Sequence, residues 1–281
     1  MNPGMISASV TMGQLQKKIN TIGHNLANLN TYGYKSREVQ FSNLLFREVD
    51  NLSDDNRENN GERVTPDGIR VGYGAKIGET NLNLQRGAIQ QTGRTLDVAL
   101  LNPYQFFQID TADGEGNRRT YTRNGAFYLQ PDAANQGLLN LVTQDGDFVV
   151  GTNGRGIQIP TDYQSISIDQ SGRVEVSLES GEQLLAGRLA IVNILKPQLL
   201  ESVGGNQLAF PNLQDLNLTE ADVLSPVAAD EADVRQEALE ASNVDLGNEM
   251  TELLNAQRAY QFNARAISIA DQSMQVINSI R

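Results

Sequence analysis

The first thirty residues carry an apolar stripe whose spacing leaves little choice of local structure. Its members follow one another at alternating intervals of three and four residues: Met5, Ala8, Met12, Leu15, Ile19, Ile22, Leu26 and Leu29. Such a heptad places one narrow apolar seam along a helix, as in a coiled coil. Asn28, Asn30 and Gly33 follow, and their amides can bond freed carbonyls while the glycine can cap the helix. The stripe therefore predicts a long helix that ends before Gly33.

The last forty residues repeat this pattern. Apolar or small side chains recur there every three or four residues: Leu246, Met250, Leu253, Ala256, Tyr260, Ala264, Ile267, Ala270, Met274 and Ile277. Ser242 or Asn243 can serve as the N-cap, and Asp245 then lies near the positive end of the helix dipole. The sequence thus predicts a C-terminal helix within residues 242–281 that has the same kind of seam.

Neither predicted helix can bury much surface by itself, because each has one thin seam with polar flanks. Isolated helices are only marginally stable in water without tertiary packing. The seams must therefore pair with each other, with other copies of the chain, or with both. The simpler alternative is a helical hairpin of the two ends that lies on the core of its own chain.

An antiparallel β pattern lies between the two ends. Short alternating runs over residues 69–195 are broken by turn sequences, which are Asn124-Gly125, Asp145-Gly146, Ser171-Gly172 and the SGEQ that begins at Ser180. The Asn-Gly pair, between Tyr121 and Phe127, predicts a type I′ hairpin. These runs indicate an antiparallel β core.

Two further segments differ from this core in composition. Residues 47–68 are acidic, rich in asparagine and nearly free of apolar side chains, which predicts a linker or a long exposed loop. Residues 196–241 have a weak and acidic pattern, which predicts an irregular return segment. The predicted order is then an N-terminal helical segment (1–46), the linker, the β core (69–195), the return segment and the C-terminal helix (242–281). The fold class is α+β, with an antiparallel all-β core and terminal helices that pair as a coiled coil.

Composition excludes several classes of function. The formal net charge is −12, which argues against nucleic acid or an anionic membrane as a partner. The absence of cysteine excludes disulfides and thiol catalysis, and a single histidine, His24, excludes any site that needs two. We expect no catalytic residue, no cofactor and no metal, and hence no enzyme. The sequence contains neither a membrane-spanning apolar run nor the apolar region of a signal peptide, which by itself predicts a cytosolic protein.

Several segments resemble motifs of the bacterial flagellar rod and hook protein family. The N-terminal one is NLANLNTYGYKSREVQF and the C-terminal one is ASNVDLGNEMTELLNAQRAYQFNARAI. Between them RGAIQQTGRTLDVAL, FFQI, YTRNGAF and LVTQDG match core motifs of the family in order. Length and the linker resemble the distal rod subclass most. His24-Asn25 stands where the family has two asparagines, and LNPY at 101–104 replaces a glycine-rich turn, so proximal rod and hook subunits remain alternatives.

The resemblance implies a structural subunit of the flagellar basal-body rod. Such a chain would pass unfolded through the flagellar type III export apparatus without a cleaved signal peptide, which revises the cytosolic prediction. Phe41 and Leu45 resemble an element that the export gate recognises, although they could equally pack at the base of a strand. After export the subunits would stack helically into a hollow, torque-transmitting tube. The implied partners are other copies of the chain, other rod and hook subunits, and the export apparatus.

The same resemblance, together with the two seams, gives the residues expected at subunit contacts. They are Leu15, Ile19, Ile22, Asn25, Leu26, Asn28, Leu29, Asn30, Gly33, Asn243, Leu246, Met250, Leu253, Gln257, Arg258, Tyr260 and Ile267. The asparagines would end the helix and also fix register between subunits, as a polar residue can in a coiled-coil seam. An alternative of a different class is a secreted β-domain enzyme or carbohydrate binder with a helical oligomerisation stalk.

Overall fold

The computed structural model describes residues 3–43, 46–49, 69–72, 75–113, 116–132, 135–228 and 230–279. The chain forms two compact units. The helical unit consists of Met1–His24, Arg37–Asn81 and Leu246–Arg281, and the β unit consists of Asn25–Ser36 and Leu82–Asp245. The chain therefore passes between the units several times, and each unit contains segments from distant parts of the sequence.

Two long helices and many short strands form the described residues, as the predicted α+β class requires. In chain order they are α1 (Pro3–Ala27), β1 (Arg37–Asn43), β2 (Phe46–Val49), β3 (Ile69–Gly72), β4 (Ala75–Leu82), β5 (Ile89–Gln91), β6 (Val98–Leu100), β7 (Gln105–Asp113), β8 (Gly116–Thr122), β9 (Tyr128–Pro131), β10 (Leu138–Val142), β11 (Phe148–Val149), β12 (Gln158–Pro160), β13 (Tyr163–Ile168), β14 (Arg173–Leu178), β15 (Gln183–Arg188), β16 (Ile191–Ile194), β17 (Glu201–Gly204), β18 (Gln207–Ala209), α2 (Glu220–Val223), β19 (Leu224–Pro226), β20 (Val234–Gln236), β21 (Ala238–Glu240) and α3 (Leu246–Ser279). Among the residues described, none of the helices is both long and apolar enough to cross a membrane.

The helical unit contains most of α1, all of α3 and two small strand pairs. Strand β1 pairs with β4, and β2 pairs antiparallel with β3. The predicted linker over 47–68 begins three residues too early, because residues 47–49 belong to β2. The remainder of that linker, residues 50–68, lies outside the described residues.

The β unit contains one large sheet and three smaller ones. Ten strands form the large sheet in the order β12-β10-β11-β7-β8-β18-β17, with β16 pairing β7 and β19, and β9 pairing β10. Strands β13, β14 and β15 form a three-stranded meander, and the short pairs β20-β6 and β21-β5 complete the unit. The pairs within the unit are antiparallel, as the sequence predicted.

Strand β7 lies at the centre of the large sheet and is buried on both faces. Successive side chains of a strand point to opposite faces, so Phe106 and Phe107 enter different apolar clusters. Phe107 packs edge-to-face on Phe127, with ring centroids 5.1 Å apart, in the larger cluster. Phe106 packs with Tyr121 and Leu208 in the smaller cluster. The sheet thus has one apolar core on each face, and β7 contributes side chains to both.

Three of the predicted hairpins are confirmed, although their turns are not of the type I′ that the sequence predicted, and all three have the same form. Each turn has a glycine with positive φ at its fourth position, namely Gly146, Gly172 and Gly181. In the Asp169–Arg173 turn, Gly172 N donates to Asp169 O at 3.0 Å and Asp169 N donates to Arg173 O at 3.1 Å. A left-handed glycine after an ordinary turn is the three-residue hairpin loop with a G1 bulge. The recurrence shows that each glycine supplies a backbone conformation that other residues adopt at a cost.

The fourth predicted hairpin, at Asn124-Gly125, is wrong. A type I′ turn needs positive φ at both central residues, and neither Asn124 nor Gly125 has it. Strand β8 pairs with β7 and β18, whereas β9 pairs with β10, so no hairpin joins β8 to β9. A Cβ on Gly125 would lie 1.8 Å from Val98 O. The glycine is needed because another backbone segment passes directly over it.

The predicted irregular segment, residues 196–241, contains five short strands, β17 to β21. Each has three or four residues, which is too short to produce a readable alternation of apolar and polar side chains. Their partners are far away in sequence: β21 pairs with β5 and β20 with β6. The segment therefore belongs to the β unit, and this part of the prediction is wrong.

Candidate assembly site

The apolar stripe of α1 is the covered side of that helix. Leu15 and Ile22 are buried, and Ile19 and Leu26 are half-buried. Leu29, the last member of the stripe, is half-buried but lies beyond the end of the helix. The periodicity thus identified the covered side of α1, while a role of these residues in subunit contacts stays a prediction.

The predicted stripe of α3 divides into a covered part and exposed parts. Leu253, Tyr260 and Ile267 are half-buried, and Ala256 between them is buried. The remaining residues expected at contacts on this helix are exposed: Leu246, Met250, Gln257 and Arg258. The middle of α3 therefore has one covered side, and that side is the predicted seam.

An ion pair joins α1 to α3. Lys18 Nζ lies 2.5 Å from Glu252 Oε2, and both side chains are partly exposed. Such a pair contributes at most about 1 kcal/mol, because water screens it and both side chains lose conformational freedom. The pair brings the two helices together at one point, and any lasting association must come from apolar contact along the seams.

A second apolar face of α3 was missed by the reading of the sequence. Leu254, Phe262, Ile269 and Val276 are all exposed, and Phe262 keeps 73% of its surface. They are separated by eight, seven and seven residues, which places them on one side of the helix, roughly opposite the seam. We call these four residues the outer face of α3. The heptad interval was the available signal, but the stronger stripe on the other side concealed it.

The asparagines at and just after the C-terminal end of α1 bond to residues of the turn that follows. Asn25 is 1% exposed, and its Oδ1 accepts a hydrogen bond from the Tyr34 hydroxyl at 3.1 Å. Asn28 Oδ1 accepts from the Thr31 hydroxyl at 3.1 Å, and Asn30 is exposed. Two of these amides thus bond within the chain, a role that the sequence did not reveal. Contacts of the asparagines between subunits stay a prediction.

Gly33 is not the cap of α1, so that prediction is wrong. The helix ends at Ala27, six residues earlier, and Gly33 N instead donates to Glu240 O at 2.7 Å. The φ of Gly33 is +69°, and a Cβ at this position would lie 2.4 Å from Asn124 N. Glycine is required because the backbone is left-handed and because the neighbouring chain approaches too closely for a side chain.

The capping prediction at the start of α3 is also wrong. The helix begins at Leu246, so Asp245 occupies the position before it, and Ser242 and Asn243 lie further upstream. The Ser242 hydroxyl accepts from Val244 N at 3.3 Å. Asn243 uses its amide for contacts with other segments of the β unit, which are described below.

Three charged side chains meet in the interior of the β unit. Glu240 Oε1 lies 2.7 Å from Lys35 Nζ, and Glu240 Oε2 lies 2.6 Å from Arg123 Nη2. All three side chains are at most 3% exposed. We call Lys35, Arg123 and Glu240 the ion cluster. It connects Lys35, in the N-terminal motif, to Glu240, which directly precedes the C-terminal motif.

Backbone carbonyls complete the ion cluster, which has two cations for one carboxylate. Arg123 donates to the carbonyls of Leu100, Asn102 and Gln105, and Lys35 donates to those of Leu84 and Gln85. Buried charges are tolerated only when they are paired and hydrogen-bonded in this way. The sequence contains no local signal for the cluster, since its three members come from two loop positions and from β21, which are far apart along the chain.

The ion cluster makes the free energy of unfolding of the β unit vary with pH in the alkaline range. Burial and the Arg123 guanidinium lower the pKa of Lys35 from 10.5 to about 8, against the opposing charge of Glu240. Between these pH values the unfolded chain binds a proton that the folded chain has lost, so the free energy of unfolding rises with pH. We expect this contribution to reach about 3 kcal/mol between pH 8 and 10.5, because one unit of pKa difference corresponds to about 1.4 kcal/mol.

The measurement is urea unfolding at a series of pH values, for the natural chain and for Lys35→Met. Other groups titrate equally in both, so the difference between the two free energies isolates Lys35. Between pH 8 and 10.5 the free energy of unfolding of the natural chain should rise relative to that of Lys35→Met. A difference that does not change with pH would contradict the lowered pKa.

A polar cavity of about 290 Å³ lies in the β unit near the asparagines at the end of α1. Asn28 and Thr31 line one part of it, and Asn124, Asp145 and Asn206 line others. Acid–base catalysis typically uses two ionisable groups with different pKa values. The residues that line this cavity include one carboxylate, Asp145, and otherwise mainly amides and hydroxyls. The cavity is thus equipped for hydrogen bonding.

The predicted export element is only partly described. Phe41 lies in β1, within the helical unit. Leu45 lies outside the described residues. A role of the two residues in export stays a prediction.

Comparison with known proteins gives matches at both ends and in the middle of the chain. Residues 6–35 match the family of flagella basal body rod proteins. Residues 102–176 match the D1 domain of the flagellar hook protein FlgE/F/G family, and residues 235–280 match the C-terminal family of flagellar basal body rod FlgEFG proteins. The first and last matches contain the asparagines at the end of α1, Lys35, Glu240 and the seam of α3.

Relatives of known identity align over almost the whole chain. The flagellar hook-basal body complex protein FlhP of Bacillus subtilis is 38% identical, over 99% of this chain and 98% of that protein. The flagellar basal-body rod protein FlgG of the same organism is 34% identical, over 96% of each chain. FlgG of Agrobacterium fabrum is 32% identical, also over 96% of each. The chain belongs to the flagellar basal-body rod and hook family of structural proteins.

Proposed function

We propose that the chain is a subunit of the distal part of the flagellar basal-body rod, where it polymerises helically into a hollow, torque-transmitting shaft. The observation that carries this proposal is the outer face of α3, which exposes four large apolar side chains at intervals of seven or eight residues. A row of large exposed apolar side chains on one side of a helix favours a surface that another molecule covers. The names of the aligned relatives favour a rod subunit over a hook subunit, and the distal position rests on chain length and on the linker.

In this proposal α1 and α3 pair along their seams as a coiled coil, and the outer face contacts neighbouring copies. The Lys18–Glu252 ion pair and the covered positions on both helices support the pairing. Because seam and outer face lie on opposite sides of α3, one helix can contact two partners at once. An interface between unlike surfaces generates a filament when the rotation that relates neighbouring copies does not close into a ring, and the proposed shaft is such a filament.

The proposal includes export as an unfolded chain through the flagellar type III apparatus, followed by assembly in the basal body. Absence of cysteine supports it, since cross-links would obstruct passage of an unfolded chain. The proposed partners are other copies of the chain, other rod and hook subunits, and the export apparatus. Phe41 and Leu45 are the proposed contacts with the export gate.

Complementation of a gene deletion tests the function. We expect the deletion to abolish flagella and swimming while growth continues, and the natural gene to restore both. Phe262→Asp should fail to restore swimming, because it places a charge on the outer face of α3 where neighbours must exclude water. Gln261→Asp, at the adjacent exposed position, is the matched control and should restore it. Swimming by the deletion strain together with loss of a hydrolytic activity would favour the enzyme alternative.

Residues 47–68 give a test of the distal position. Deletion of Asn51–Glu62, which lies outside the described residues, should leave export and folding intact but yield a bendable or unstable rod. Ordering such a segment costs about 1 kcal/mol or more per residue, so contacts with other copies would have to hold it. Electron microscopy of isolated basal bodies, with a swimming assay, is the measurement. Straight, full-strength rods from the deletion strain would favour a proximal rod or hook subunit instead.

A further inference from the structure

The chain passes between the helical unit and the β unit at four places. It enters the β unit at Asn25, within α1, leaves it after Ser36, returns at Leu82, and leaves again after Asp245. We call the last three of these places the passages, and hydrogen bonds join their segments. Tension along α3 enters the β unit at the last of these passages, Asp245. How they are anchored therefore decides how the β unit responds to load.

One side chain bonds all three of these passages. Asn243 Oδ1 accepts from Ser36 N at 2.7 Å, and Asn243 Nδ2 donates to Asn83 O and Gln85 O, each at 2.9 Å. The first two passages are also bonded directly, since Asn83 N donates to Ser36 O at 2.8 Å. A single carboxamide thus uses both of its polar atoms to bridge segments that lie more than 150 residues apart in sequence.

The ion cluster anchors the same three segments a second time. Lys35 directly precedes Ser36, and Glu240 lies three residues before Asn243. The segment that begins at Leu82 is bonded to the cluster through Gln85 O, which accepts from Lys35, and through Gly87 N, which donates to Glu240 Oε1 at 2.9 Å. Each passage is therefore tied both to the Asn243 amide and to the buried charges behind it.

We infer that Asn243 and the ion cluster form a clasp that distributes load among the three passages. Hydrogen bonds loaded together resist more force than the same bonds broken one after another. With the clasp in place, tension on Asp245 must break the Asn243 and Glu240 contacts together before β21 can peel from β5. Without the Asn243 amide, the ion cluster alone opposes tension at the end of β21. The importance of this clasp for torque rests on the proposed function, but its mechanical effect can be measured on a single molecule.

Single-molecule pulling of the full chain tests the clasp. The natural chain has no cysteine, so handles can be attached at two introduced ones, Ser180→Cys on an exposed turn and Asn255→Cys on the exposed side of α3. We expect Asn243→Ala to lower the force that unfolds the β unit by at least one third. Asn153→Ala, which removes an amide that accepts from Arg155 N within its own exposed turn, should leave the force unchanged.

Hydrogen exchange of the same variants gives a second measurement. Asn243→Ala should speed exchange at the amides of Ser36 and Asn83 at least tenfold, while Gly172 in the distant β13–β14 turn keeps its rate. If circular dichroism shows that Asn243→Ala is unfolded, Asn243→Asp is used instead, because it retains the acceptor for Ser36 N and loses the donor. Equal unfolding forces for the natural chain and the Asn243 variant would overturn the clasp. Failure of the gene deletion to affect swimming would overturn only the proposed function.

Discussion

Glu240→Gln is expected to destabilise the β unit by about 3–5 kcal/mol at pH 7, the typical cost of removing one partner from a buried ion pair. The substitution preserves the shape of the side chain but removes the negative charge that Lys35 and Arg123 share. It also turns one accepting oxygen into a donor that faces cationic N–H groups. Urea unfolding followed by circular dichroism is the measurement.

Glu175→Gln is the matched control for this prediction. Glu175 is exposed on β14, so the same substitution there should change the free energy of unfolding by no more than about 0.5 kcal/mol. Adding Lys35→Met to Glu240→Gln should recover part of the loss, because it removes one of the two uncompensated cations. Similar effects of the two glutamine substitutions would show that the ion cluster does not stabilise the β unit.

Ile22→Asp is expected to abolish assembly while the β unit still folds. Ile22 is the least exposed member of the α1 stripe, so an aspartate there must either stay charged in an apolar contact or take up a proton, and both are costly. The β unit should keep its strand signal in circular dichroism, because Ile22 belongs to the helical unit. Electron microscopy of basal bodies from complemented deletion cells should show no rod extension.

Asn20→Asp provides the comparison, since Asn20 lies on an exposed side of the same helix. It adds the same carboxylate to α1 but leaves the seam unchanged, so rods should form. Normal rods from the Ile22 variant would contradict the assignment of the seam. Loss of the β signal in that variant would contradict the prediction that the β unit still folds.

The features that the sequence predicted correctly depend on neighbours along the chain. The covered side of α1 follows from a helical period, and Leu15 and Ile22 lie on it as expected. The turns at Gly146 and Gly172 follow from a local need for positive φ. In these cases a few consecutive residues contain all the information that fixes the structure.

The features that the sequence did not predict depend on distant segments. Asn124-Gly125 has the composition of a hairpin turn, but glycine is required at 125 because the backbone of Val98 lies too close for a side chain. Glu240 and Lys35 resemble ordinary surface residues in the sequence, and only the tertiary fold buries them together. Asn243 resembles a helix cap, and its position beside Ser36 cannot be read from either end of the chain alone. A single sequence contains no direct record of such neighbours.

The distance along the chain between Lys35 and Glu240 has a consequence for the order of events in folding. The two residues are 205 positions apart, so the loop that their contact closes contains most of the protein. Contacts between such remote residues form late, because the entropy of closing the loop is lost before the contact can compensate for it. A chain that emerges N-terminus first holds Lys35 and Arg123 without their counter-ion until about six-sevenths of its length is available. The C-terminal residues of the β unit thus complete its interior. A chain cut short before Glu240 would hold Lys35 and Arg123 without the carboxylate that pairs with both.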